Sequence, residues 1–304
     1  MWDFLHYQHF FFIMKMVKIM RKKYARRVSM TGMQQIMIDL KPERCVSDVY
    51  INQKMDLTNL SKYVEKKKKE NPDMTLFHAF LIAIGKLYYN RPYLNRFVAN
   101  RHMYEHKDVI ISFVAKIAFE DEAEEMMILV KIDENDNINT VSKKVLDKVK
   151  SIRDKKKAKV DKNGANAAID TLGKLPNLIR IPVVGLLKWM DKVGILPLSL
   201  VDDNLYYSSI IVSNLGSIGC GAIFHNITNF GNASALATMG VMKDEEVLID
   251  GKKQTRKMCE FGVNLDERIG DGFYFLKSIQ LLQYIFDNPE LLEGDANEKI
   301  EIKK

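Results

Sequence analysis

Between Thr75 and Tyr89 the chain reads TLFHAFLIAIGKLYY, with only His78 and Lys86 able to carry charge. A segment apolar on every face cannot lie at a surface, so it predicts a helix covered on all sides, and the rest of the chain must supply the cover. His78 within it reads as a core histidine with a polar neighbour rather than as a ligand. The cover is available in stretches of strand character: NRFVAN and RHMYEHKDVIISFVAKIAF, read as a hairpin followed by a long strand, then MMILVKI, LYYSSIIVSNLGSIG, ALATMGVM, EVLIDG turning at Gly251, and KMCEFGVNL. MQQIMIDL (33–40) alternates as well and predicts a further strand. Helices are predicted over Met14 to Met30 with RKKYARR as a basic face, after MDLTNLSKYVEKKKK with Asp56 or Thr58 as N-cap, in TVSKKVLDKVKSIRDKK, and in FYFLKSIQLLQYIF. Strands and helices in this order give an α/β fold, a two-layer sandwich of mixed sheet and helices.

With 47% apolar and 28% charged residues, a chain of 304 residues can bury a large core and has no mark of disorder. Cys45, Cys220 and Cys259 lie far apart without C-x-x-C spacing, which argues against a disulfide framework or a zinc ribbon and for a reducing, cytoplasmic setting without a metal. The net charge of +7 is spread through mixed runs such as EKKKKE and RDKKKAKVDK without interleaved aromatics, so solvated helix faces are expected and nucleic acid is not. Residues 1–20 form an apolar extension. It lacks a basic start and a small-residue cleavage site, and Lys15 and Lys18 interrupt it, so neither a signal peptide nor a transmembrane segment is predicted. Gly216, Gly219 and Gly221 lack the Lys-Ser/Thr of a phosphate loop.

Residues 163–201 stand apart as an inserted block punctuated by Pro176, Pro182 and Pro197. Its helical part, 183–196, carries Val184, Leu187, Met190 and Val193 at helical spacing with Trp189 alongside. It is predicted to pack on the chain's own core or on a neighbouring subunit, a membrane-surface anchor being the alternative; Lys188, Asp191 and Lys192 exclude a span. Residues 293–304 are a charged tail.

The chemistry is sought at NLDERIGDGFYF (264–275), where an alternating strand runs into Asp266-Glu267-Arg268 and an Asp271-Gly272 corner. By itself this can be a surface bend. Its neighbours in sequence add to it. RKKYARRV (21–28), RPYLNRF (91–97), SNLGSIG (213–219), DERIGDG (266–272) and DNPELL (287–292) occur in the order and at the spacing of R-K-x-I-A-x-R-M, P-x-L-N, S-N-L-G, D-H-R-x-x-D-G and a closing helix. From about Arg21 to Leu292 the chain resembles the catalytic domain of the 2-oxo acid dehydrogenase acyltransferases (dihydrolipoamide acyltransferases), with the chloramphenicol acetyltransferase-like fold.

The resemblance implies transfer of an acyl group carried by coenzyme A, no metal, and a homotrimer or multiple of trimers whose site lies between chains. It implies a serine that steadies an oxyanion, Ser213, and an aspartate paired with an N-terminal arginine, Asp271 with Arg21. Read alone, these three are a strand-end hydroxyl, a turn aspartate and a surface arginine. The position of the family's histidine base holds Glu267. A possible surrogate is His225. Neither a lipoyl attachment site nor a subunit-binding segment is read in the chain.

A carboxylate near pKa 4.3 is mismatched to a thiol near 8.5 by about 4 units, and a histidine near 6.5 by about 2 units, so the exchange costs about 3 kcal/mol of driving force, on the order of a hundredfold in rate. Burial of Glu267 is what would recover it. The alternative is a catalytically silent oligomeric relative that binds acyl-CoA or a partner.

Overall fold

The computed structural model describes residues 21–116, 125–157 and 171–302. The apolar run does become the central helix. Thr75 accepts a hydrogen bond from the His78 amide at 3.3 Å and opens α3 (Leu76–Asn90), which is buried without a break from His78 to Tyr88 and ends ahead of Pro92. His78 Nδ1 meets Ser142 Oγ at 2.9 Å, so it is a partnered core histidine.

The described residues contain ten strands: β1 (Ala25–Arg27), β2 (Asp48–Asp56), β3 (Arg96–Ala99), β4 (His102–His106), β5 (Val109–Lys116), β6 (Glu125–Ile132), β7 (Ile210–Asn214), β8 (Ala235–Met239), β9 (Lys243–Ile249) and β10 (Lys252–Asp266). The main sheet runs β2-β10-β8-β7-β5-β6, with β9 on the outer part of β10, and a small sheet runs β1-β4-β3. Pairing is antiparallel except for β5-β7 and β7-β8, so the sheet is mixed. The predicted hairpin is β3-β4, turning through Asn100 and Arg101 with φ of 48° and 61°.

One face of the main sheet packs on helices, while α5 (Asn177–Val193) and the one-turn α6 (Leu198–Val201) lie outside that core. Phe261 and Leu265 of β10, Ala235 and Ala237 of β8, and Ile210 and Val212 of β7 meet α3, α2 (Thr58–Lys67), α4 (Ile138–Lys157) and α7 (Gly272–Asp287) in one core, with Phe80 set 5.3 Å from the Phe261 ring. The other face carries Ile211 and Leu236, covered by Leu205, Ile227 and Ala233. The loop over that face lies so close that a Cβ on Gly262 would stand 2.5 Å from the Ile223 carbonyl oxygen, so no side chain fits at 262.

Two predicted elements are corrected. MQQIMIDL is a helix, α1 (Gly32–Leu40): Thr31 and Gln34 close a reciprocal capping box, a T-x-x-Q signal that overrides the alternation. The predicted helix through Met30 stops at Tyr24, because Ala25–Arg27 pairs antiparallel with β4; its start lies outside the described residues. The N-cap of α2 is neither candidate in position, since the helix begins at Thr58 after Leu57, but the Asp56 carboxylate does accept the Thr58 amide at 2.8 Å. Among the described residues, no helix is long and apolar enough to cross a membrane.

His106 is buried in β4, its ring 4.7 Å from that of Phe97 and its Nε2 3.3 Å from the Asn232 carbonyl oxygen. Burial pushes its pKa down to about 4. A depressed folded value means that stability is whole above the unfolded pKa of about 6.5 and is lost as pH falls toward 4. The urea midpoint is expected to fall over that window, and His106→Gln is expected to remove part of the fall, a share on the order of 3 kcal/mol.

Candidate functional site

The long strand β10 ends with Leu265 toward the helices and Asp266 toward the other face, then turns through Glu267–Ile269 into Asp271, which opens α7. The turn is held by its own charges. Asp266 accepts the Arg268 amide at 3.1 Å and Nε at 2.8 Å on one oxygen, and Nη2 at 2.7 Å on the other, with both side chains buried. Arg268 Nη1 donates in turn to the carbonyls of Lys41 and Pro42 at 3.1 and 3.2 Å. Arg44 comes within 4.0 Å of Asp266 from the other side and donates to the Ala233 carbonyl. Burial holds Arg44 below its ordinary pKa, against the pull of Asp266 and Asp48. The buried bidentate pair is tolerable because the side-chain polar atoms of Asp266 and Arg268 are all partnered, whereas Arg44 Nε and Nη2 and both Asp48 carboxylate oxygens beside it are buried without a hydrogen bond.

Glu267 stands on this support. Its amide donates to the Ser47 carbonyl at 3.0 Å, and its carboxylate is paired with Lys41 Nζ, the first residue past α1. The burial that the sequence reading asked for is missing: the Glu267 side chain is 29% exposed and already holds a cation.

The other expected residues are placed as follows. Ser213 lies near the end of β7, partly buried, in register with Thr238 of β8, which is in register with Gly262 of β10. Two strand spacings, about 10 Å, and five residues along β10, about 17 Å, separate it from Glu267, so within one chain their Cα atoms are about 20 Å apart. Asp271 is exposed and caps α7, accepting the Tyr274 amide at 2.7 Å. Arg21 is buried elsewhere. Its Nη2 donates to the carbonyls of Asp191 and Lys192 at 3.0 and 3.3 Å, and its guanidinium sits 4.7 Å from the centre of the Tyr104 ring. The expected Arg21–Asp271 ion pair is therefore absent among the described residues: one partner is taken by carbonyls and the other by a helix cap.

His225 is exposed on the loop between β7 and β8, between Phe224, which packs edge-on against Tyr50, and Asn226, which accepts the Tyr50 hydroxyl at 2.5 Å. Among the described residues it makes no hydrogen bond to Glu267 or Ser213. Lys41, Asp266 and Arg268 were not assigned roles from sequence. The signal for the last two was their placement on either side of Glu267, directly after an alternating strand; Lys41 carried none. No group of three His, Cys, Asp or Glu among the described residues could hold a metal ion.

Residues 199–293 match the model of the family described as 2-oxoacid dehydrogenases acyltransferase (catalytic domain). The match covers about a third of the chain, and over that stretch the sequence is similar to those acyltransferase domains. Ser213, Glu267 and Asp271 lie inside the matched stretch and Arg21 outside it. No curated protein matches in sequence.

Among solved structures, the acyltransferase fold is shared with a probable dihydrolipoamide acetyltransferase from Listeria monocytogenes 4b F2365, at 16% identity and a TM-score of 0.55 over 86% of this chain and 94% of that one. It is shared with the cubic core of a pyruvate dehydrogenase multienzyme complex, at 16% identity and 0.52 over 88% and 93%. Chloramphenicol acetyltransferase matches at 9% identity and 0.50 over 86% and 99%. The expected α/β sandwich of the chloramphenicol acetyltransferase kind is the fold of this chain.

The corner separates a buried from a surface ion pair by their energies. Arg268→Met, which strands a buried carboxylate, is expected to lower stability by about 3–5 kcal/mol, whereas Lys41→Met is expected to change it by less than about 1 kcal/mol, both read from urea unfolding.

Proposed function

We propose that the chain is an acyltransferase-like protein that engages an acyl group carried on coenzyme A, at a site formed where the Glu267 corner of one copy meets the β7 end of another in a trimer or multiple of trimers. The observation that carries this is the separation of Ser213 and Glu267 on one sheet, about 20 Å, together with a family match that spans both positions. Residues that serve one reaction and stand so far apart within a chain must be joined by a second chain.

In this reading, the thiol or hydroxyl of the acceptor attacks the thioester carbonyl carbon and its proton passes to the Glu267 carboxylate. The Ser213 hydroxyl donates to the oxyanion so formed. The carbon–sulfur bond to coenzyme A then breaks, and the leaving thiolate takes the proton back from Glu267. Asp266, Arg268 and Lys41 position the glutamate, and Asp271 fixes the start of α7. Arg21 has no part in the corner of its own chain.

A second reading, a catalytically silent binder of acyl-CoA or a partner, is favoured by the Lys41–Glu267 pair, because the carboxylate that would take the acceptor's proton is already engaged by a cation.

CoA release from acetyl-CoA with dihydrolipoamide as acceptor separates the two. For the catalytic reading, wild type turns over slowly, Glu267→Gln abolishes turnover, and Glu267→His raises it on the order of a hundredfold. Ser213→Ala then costs about 10²–10³ in kcat. Absence of turnover in wild type with turnover in Glu267→His establishes the silent reading. Absence in both, with no binding of acetyl-CoA by calorimetry, refutes both.

A further inference from the structure

The helix α5 (Asn177–Val193), expected to pack on the chain's own core or on a neighbouring subunit, rests on a small cluster of its own chain along one side, and none of its residues is buried. It is held at one end and along one side. Gly194, with φ of 80°, closes its last turn in a left-handed conformation that a side chain resists, and Arg21 binds the carbonyls of Asp191 and Lys192 beside it. The Asp191 carboxylate turns inward, accepting the Tyr207 hydroxyl and the Gly231 amide. Leu187 and Met190 rest against Leu196, Val201 and Tyr207.

The opposite side of α5 is apolar and open. Leu178 is 87% exposed, Leu186 54% and Trp189 47%. At 100° per residue, Leu178, Pro182, Leu186 and Trp189 fall within an arc of about 80°, with Ile179 at its edge. The charged residues from 171 to 196 are Lys174, Arg180, Lys188, Asp191 and Lys192, and the single acid among them is the one turned inward. An outward apolar face bordered only by bases has a definite complement.

We propose that α5 lies in the plane of an anionic lipid surface, with Leu178, Leu186 and Trp189 entering the boundary between headgroups and acyl chains and Lys188 and Lys192 meeting lipid phosphates. A helix with aromatic and leucine side chains on one face and bases beside it binds at that depth, and each base adds attraction to a negative leaflet. A two-fold pairing of copies through this face is disfavoured, because it sets Lys188 and Lys192 against the same residues with no acid to answer them, and contact with a different face of another copy is the outcome that the oligomer mass below reads. The surface is independent of the Glu267 corner.

The test is flotation of the purified full chain with phosphatidylcholine vesicles, with and without phosphatidylglycerol, alongside Trp189 emission in a Trp2→Phe background. The expected result is flotation and a blue shift with the anionic vesicles only, lost in the Leu186→Asp/Trp189→Asp variant and weakened at least about tenfold in Lys188→Glu/Lys192→Glu, which leaves the apolar face intact. The proposal is overturned by no flotation with anionic vesicles. Flotation that survives both variants also overturns it, by placing lipid binding elsewhere in the chain, as does a fall in oligomer mass in the Leu186→Asp/Trp189→Asp variant, by assigning the face to a second copy.

Discussion

The buried pair of Asp266 and Arg268 is the interaction on which the corner depends. It sits at the end of the longest strand, where the chain must leave the sheet and start α7 within a few residues. Two charges taken out of water are costly unless each is matched by hydrogen bonds, and here one guanidinium serves the carboxylate and two carbonyls at once. The turn, the end of α1 and the approach to β8 are thereby tied to a single point. Glu267 has its place because the residues on either side of it are bound to each other and to the chain around them.

That rigidity gives the glutamate a fixed position without giving it a base's environment. A histidine in the same place would be near the right proton affinity without help, while a carboxylate needs burial, and the side chain instead faces water and Lys41. The position of Glu267 and its surroundings are therefore set separately: the position by the backbone and a buried ion pair, the surroundings by Lys41 and water.

Much of the fold was legible because it is written in long, regular patterns. The apolar run at 75–89 fixed a central helix, and alternation located the hairpin and the strands of the main sheet. MQQIMIDL misled because its alternation was read ahead of its cap: Thr31 and Gln34 decide that segment by hydrogen bonds at one end. In the site, local motif positions located Ser213, Glu267 and Asp271 along the chain. The partner of Arg21 was not legible, since α5 brings its carbonyls to the guanidinium from a distant block of sequence. Nor was that of Glu267: Lys41 follows a segment that alternates like a strand but is a helix, so the pattern does not bring its side chain to the corner.

The central claim is that the Ser213 and Glu267 positions of different chains meet. In a background with exposed Cys45 and Cys220 replaced by serine, copies carrying Ser213→Cys are mixed and reassembled with copies carrying Glu267→Cys and treated with a short thiol cross-linker. The account predicts a product of two-chain mass that contains one copy of each kind, and no link within a chain that carries both cysteines. A cross-link within that doubly substituted chain, or none between chains in the assembled protein, would contradict it.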